Sequence, residues 1–407
     1  CVESLDADPD VESDTGRAVD SGGDTVGDTT GEDSQGDTGG VDSAADTSPD
    51  GTDTGGVTGN PELFEPGSYA VGYRQSSISY DAPGVDEPRE VSLRIWYPSD
   101  GGSSADKVTY AEGFANIESE LALDAPAPAA GGPFPVVAYS HGNGGLGLTA
   151  YPYAERFASY GWIVVAPDHD GNTIYDVAGG PSDPFAKVLL HRVTDLKEVL
   201  SVGDEGFGVS ALASLTDMEK IFVFGYGWGA YPVLAVGGAT LNLTTIQDDC
   251  FDYDDGSCSF ISDSDVEAAF GGNYEDERID AIAIQAPDHI DKFTGAALES
   301  IDRPTMIMTG EQDVTTPTAS HAEPAWNSMD DNDDVWIDME NGAHLSFVTV
   351  CDDLGQDFLE DILPSAELDG CGDEFIPLTE SIPVLRAYLL AFARLHVLDE
   401  SEWSDTL

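Results

Sequence analysis

The run IFVFGYGWGAYP, residues 221–232, decides how this chain reads. Its first four residues are apolar, aromatic or β-branched, as a strand buried on both faces requires. Glycines then alternate with aromatics in Gly225-Tyr226-Gly227-Trp228-Gly229, and small and apolar residues follow. Glycine permits backbone angles and close approaches that a Cβ forbids. The run is therefore a buried strand, a sharp turn and the start of a helix.

Outward from this run, strand patterns fall at 69–80, 90–97, 134–140, 162–166, 220–224, 279–285, 305–309 and 335–339. Helical patterns fall between and after them, at 148–160, 185–201, 228–239 and 382–397. Strands alternating with helices predict an α/β fold: a mostly parallel, doubly wound sheet with helices on both faces. The first two strand runs have no helix between them and are expected as an antiparallel hairpin at one edge. Residues 61–407 read as one domain. Segment 240–277 is a possible cap insertion, and 345–381 separates the last strand from the final helix.

Residues 1–60 hold 16 Asp/Glu and one Arg among Gly, Ser and Thr. So little apolar surface cannot offset the entropy of ordering, so a disordered acidic tether is expected. With Cys1 ahead of it, the tether suggests an exported cell-surface or periplasmic lipoprotein with Cys1 as the lipidated residue. Any membrane attachment would then run through that lipid. The apolar stretch 382–398 carries Arg386 and Arg394 and is too short to span a bilayer. The formal charge is −63, and residues 61–407 alone carry 62 acidic against 14 basic side chains. Nucleic acid and anionic membrane surfaces are thereby excluded as partners. Cys250, Cys258, Cys351 and Cys371 form no zinc pattern. Their closeness suggests 250–258 and 351–371 disulfides, although four cysteines allow three connectivities.

The turn has the spacing of the G-x-S-x-G nucleophile elbow, with Gly227 in the position of the serine. Acyl transfer by a serine triad also needs a His base, a carboxylate to orient it, and backbone donors for an oxyanion. Asp313 closes the run MIMTGEQD, directly after a predicted strand, and His344 lies in MENGAHLSF after the last one. The order nucleophile position, acid, His is the one that accompanies this elbow. The glycine-rich SHGNGG, residues 140–145, follows a third strand. It offers the Asn143 amide as one oxyanion donor, beside the amide of Trp228. No Ser, Cys or Thr occurs from 221 to 234, and Ser140 and Ser346 lack the elbow context. The acidic run DDCFDYDDGSC, residues 248–258, misses the EF-hand spacing and reads as a disulfide-closed loop.

With these segments in hand, the chain resembles the α/β-hydrolases, and within them the predicted dienelactone hydrolase and platelet-activating-factor acetylhydrolase group. VVAYSHGNGG, GWIVVAPDHDGN, the elbow, GEQDVTTP and GAHLSF carry the resemblance, across about residues 90–398. It implies the α/β-hydrolase fold and an esterase or lipase-like activity on small-molecule ester or acyl ligands, without metal or organic cofactor. Asp168 and His169 match a family motif below the site and are expected to be structural. Gly227 departs from the pattern, since without a hydroxyl no acyl-enzyme forms by the family mechanism. Three readings follow: a surface ligand-binding pseudoenzyme, an enzyme using His344 with Asp313 as a general base on water or on a substrate proton, or an ordinary esterase whose serine has been removed from this chain.

Overall fold

The computed structural model of the protein describes residues 61–102, 105–179, 183–253, 255–329 and 333–407. Cys1 and the acidic stretch 1–60 lie outside the described residues. Among the described residues ten strands form one sheet: β1 (Ala70–Tyr80), β2 (Arg89–Ser99), β3 (Lys107–Ala111), β4 (Asn116–Asp124), β5 (Phe134–Ser140), β6 (Ile163–Asp168), β7 (Thr216–Tyr226), β8 (Ile279–Gln285), β9 (Thr305–Gly310) and β10 (Val335–Met339). Their order is β10-β9-β8-β7-β5-β6-β2-β1-β4-β3. The neighbours from β10 through β6 are all parallel, while β2 runs antiparallel to both β6 and β1.

The expected hairpin of β1 and β2 forms, but it is not at the edge. β4 adds to β1 in parallel and β3 closes the sheet outside it. These two strands escape a reading by pattern for a physical reason. An edge strand is half solvated and keeps charged residues that blunt its open side. KVTYA, the edge strand, is accordingly only five residues long, and NIESELALD beside it keeps exposed Asn116, Glu118, Glu120 and Asp124 with a single β-branched residue.

Side chains of the central strands point alternately into two cores. Ile221 and Val223 of β7 enter one, whereas Phe222 and Phe224 enter the other. The first core is closed by the helices Phe185–Ser201 and Ala230–Val236, through Leu189, Val193, Leu196, Val233 and Leu234. The second is closed by Tyr151–Ser159 and Leu378–Leu398, through Phe157, Leu385, Leu389 and Phe392. By length and composition alone Leu378–Leu398 is apolar enough to cross a bilayer. Its apolar side chains are instead buried on the sheet, which is what a core helix of an α/β layer does.

Both expected disulfides are formed, Cys250–Cys258 and Cys351–Cys371. The segment between β7's helix and β8 holds three short helices, Leu243–Asp249, Ser257–Ile261 and Ser264–Phe270. Their residues Ile246, Ile261, Val266 and Phe270 are buried in the first core, so this insertion is packed against the sheet layer. The connections leaving β5, β7, β8, β9 and β10 emerge at the carboxyl ends of parallel strands. Ligand sites of open α/β sheets form on that rim.

Candidate active site

Position 227 is defined by its neighbours. A Cβ on Gly225 would lie 2.2 Å from the carbonyl oxygen of Gly229, and one on Gly229 would lie 1.9 Å from that of Ser140. Both glycines are therefore demanded by packing. Gly227 is different. Its φ is +53°, in the left-handed region, yet an ideal Cβ there meets only ordinary contacts: His344 Nε2 at 3.5 Å and Gly142 Cα at 3.7 Å. A side chain on this residue has room, and it would point at the imidazole of His344. The turn is pinned from the next loop, where Asp288 N–H donates to Gly227 O at 3.1 Å.

His344 follows β10 and Asp313 follows β9. His344 Nδ1 lies 3.0 Å from Asp313 Oδ2 and 3.0 Å from Thr316 Oγ1. An ionised carboxylate only accepts, so Nδ1 carries the proton and Nε2, toward position 227, keeps its lone pair. Thr316 holds the carboxylate in turn: its N–H donates to Asp313 Oδ1 at 2.6 Å and its hydroxyl to Oδ2 at 2.7 Å. Burial pushes Asp313 toward protonation, but the hydrogen bonds from His344 and Thr316 outweigh it and hold the pKa below the usual aspartate value. The Asp313 side chain is 2% exposed and that of His344 is 14% exposed. The pair is thus shielded except at the imidazole edge. Two loop contacts keep β9 and β10 aligned here, Gln312 N–H to Gly342 O at 2.8 Å and Glu311 N–H to Met339 O at 3.1 Å.

Asn143 sits exposed on the loop after β5, and its Oδ1 accepts from Asn172 Nδ2 at 2.7 Å. Trp228 is half-buried, one residue beyond Gly227. Gly142 and Gly227 border the same space, so the structure brings the elbow, the Asp313–His344 pair and the Asn143 loop together. Ser140 and Ser346 lie apart from it. Ser140 is fully buried with its Oγ on His169 Nε2, and Ser346 Oγ accepts from Ala343 N–H. Tyr226 packs its ring 5.1 Å from that of His344 and donates its hydroxyl to His344 O at 3.1 Å. Beyond Trp228, His289 lies 4.4 Å away ring to ring and Phe185 lies 5.6 Å away, with Tyr253 of the insertion stacked on Phe185 at 4.4 Å. These rings make an aromatic wall beside the elbow.

Sequence reading alone misses a buried relay behind the site. Ser140 Oγ to His169 Nε2 is 2.9 Å, His169 Nδ1 to Asp195 Oδ2 is 3.0 Å, and Arg89 Nε donates to Asp195 Oδ1 at 2.7 Å. Burial disfavours charge on Asp195, but Arg89 and His169 overcome this and hold it ionised well below the usual range. Burial and the nearby Arg192 lower His169 to about 4, so it is neutral. His169 N–H also donates to His141 Nε2 at 3.0 Å, which anchors the loop bearing Asn143. Ser140, His169 and Asp195 are all fully buried, in keeping with the structural reading of His169. Asp168 pairs with Arg94 at 3.0 Å and caps Gly147 N–H at 2.7 Å. The sequence signal the relay leaves is that polar His191, Arg192 and Asp195 interrupt the buried apolar face of Phe185–Ser201.

Residues 270–360 match the family model "PETase: PET hydrolase-like", a stretch that includes Asp313 and His344 but not the elbow. The chain is 23% identical to the cutinase est1 of Thermobifida alba over 211 residues, 52% of this chain. That alignment takes in 53% of the cutinase, so the chain matches about half the length of this relative. A ferulic acid esterase from Streptomyces cinnamoneus superposes with a TM-score of 0.57 at 20% identity, over 82% of this chain and 91% of the esterase. This chain has the α/β-hydrolase fold. At such identities the superposition speaks for the fold, and activity has to be argued from the site.

Proposed function

We propose that this protein is a carboxylic-ester hydrolase scaffold whose nucleophile position is held by Gly227, so that as it stands it binds esters or acyl ligands without forming an acyl-enzyme. One observation supports this most: the Cα–Cβ direction at Gly227 leads to His344 Nε2, the one imidazole nitrogen left free to accept a proton. In this reading His344 is the base, Asp313 orients it, and the amides of Asn143 and Trp228 face an oxyanion. Similarity to a cutinase and to a PET hydrolase-like family model supports ester chemistry, and the wall of Trp228, Phe185 and Tyr253 suits an apolar or aryl group beside the ester. The narrower placement in the dienelactone hydrolase and platelet-activating-factor acetylhydrolase group rests on the sequence segments alone. The two disulfides fit an exported protein in an oxidising compartment.

The test is a series of p-nitrophenyl esters offered to the protein and to Gly227→Ser. Turnover by the serine variant alone supports the proposal, and silence from the variant across acyl lengths contradicts it. A second reading is favoured by the free Nε2: His344 draws a proton from water as the water oxygen attacks the carbonyl carbon, then returns it to the alcohol oxygen as the C–O bond breaks, leaving acid and alcohol. Slow hydrolysis by the unsubstituted protein that disappears in His344→Ala would establish that route; unchanged rates would exclude it.

A further inference from the structure

We propose that Asp369 is a positioning residue for the Asp313–His344 pair, holding the loops after β9 and β10 in register through one buried carboxylate. The proposal rests on the reading of His344 as base and Asp313 as its orienting acid. Asp369 belongs to neither loop. It lies in the long segment between β10 and the final helix, just after the short turn Ala366–Leu368, and is 3% exposed. Its Oδ1 accepts from Val314 N–H at 3.2 Å and from His344 N–H at 3.2 Å. Its Oδ2 accepts the hydroxyl of Thr315. Its backbone carbonyl accepts from Leu345 N–H at 2.9 Å. One residue therefore takes donors from the two positions after Asp313, from the backbone of His344 and from the residue after it.

The geometry of such a brace matters only if the brace cannot drift. Two residues on, Cys371 is bonded to Cys351, and Cys371 N–H donates to Ala366 O at 2.9 Å. Cys351 lies in the helix Val350–Asp353, whose Asp353 takes a hydrogen bond from Tyr151 at 3.0 Å. The turn carrying Asp369 is thus tied back to the sheet layer. The carboxylate bonds the backbone N–H of His344, whereas the ring of His344 bonds Asp313 and Thr316. Its effect must pass through the relative position of the two loops, on which the 3.0 Å contact of Nδ1 with Asp313 depends.

Asp369→Asn and Asp369→Ala separate a brace from a charge. Asparagine keeps an Oδ1 for the two amides, whereas alanine removes every acceptor. In the Gly227→Ser background, alanine should lower kcat on the order of 10²-fold with little change in KM, because misplacement by about 1 Å has an effect of that size. Asparagine should restore most of the loss. In the unsubstituted protein, the downfield imidazole proton of His344 Nδ1 should persist in Asp369→Asn and broaden or vanish in Asp369→Ala. Circular dichroism and urea unfolding establish that both variants are folded, and the isosteric asparagine serves if alanine is not. An alanine variant with an unchanged kcat and an unchanged Nδ1 proton would overturn the proposal. So would asparagine as damaging as alanine, which would make the charge the active property. If Gly227→Ser hydrolyses no ester, the reading of the site fails, and the Nδ1 proton still decides whether Asp369 positions the pair.

Discussion

Three glycines in one turn do two different jobs. Gly225 and Gly229 exclude a side chain because main-chain carbonyls occupy the place of the Cβ, whereas Gly227 has the space and lacks only the side chain. Gly229→Ala should therefore cost about 3 kcal/mol or more, as overpacking against backbone does. Gly227→Ala should cost about 1–2 kcal/mol, the strain of a Cβ in the left-handed region. Urea unfolding of the two variants measures the gap, and equal costs would mean that position 227 is as closed as its neighbours. At this scale the sequence was most legible where chemistry sits on a strand end. Gly227, Asp313 and His344 stand out from spacing and order. Thr316 and Asp369 do not, because their partners lie in other segments and a lone Thr or Asp in a loop carries no periodic signal. Pairing of Asp369 with residues 55 and 25 positions away exists only once the loops are folded.

The strands that line the rim were readable because burial on both faces writes them as continuous apolar runs. β3 and β4 were not, since a solvated edge admits charge and erases the pattern. The same contrast holds for the two segments that interrupt the alternation. Their cysteines were visible, but their packing was not: the insertion contributes core residues and a face of the aromatic wall, and the later segment braces His344. Cys351–Cys371 closes a separation of 20 residues. Its removal by Cys351→Ser with Cys371→Ser should lower stability by about 3 kcal/mol through the larger freedom of the unfolded chain. A lower urea midpoint together with a larger m is the expected signature, because the unbridged chain exposes more surface on unfolding. No shift would mean that the hydrogen bonds of Asp369 alone hold the segment.

For the whole molecule, buried ionisable groups set the response to acid. Burial is the leading cause that lowers both His169 and His289 to about 4. A folded pKa below the unfolded value of about 6.5 means that the unfolded chain takes up the proton first. Stability therefore falls as pH drops from about 6.5 to about 4, by up to about 3 kcal/mol per histidine. Asp195 and Asp313, both depressed, extend the loss below about pH 4 as their charge is removed. Glu155 acts in the opposite sense, because burial raises it to about 7 and the folded state holds its proton. Unfolding in urea across this range should show a net fall on acidification, flatter in His289→Gln and steeper in Glu155→Gln. A flat profile in all three proteins would contradict the assignment. An ester-hydrolysing assembly that lacks only a hydroxyl should react with a serine-directed reagent once the hydroxyl is supplied. Fluorophosphonate labelling of Gly227→Ser, read by mass spectrometry, tests it most directly. A covalent adduct on residue 227 is expected in that variant, absent from the unsubstituted protein and strongly slowed when His344→Ala is added. A serine variant that stays folded and takes no label would contradict it.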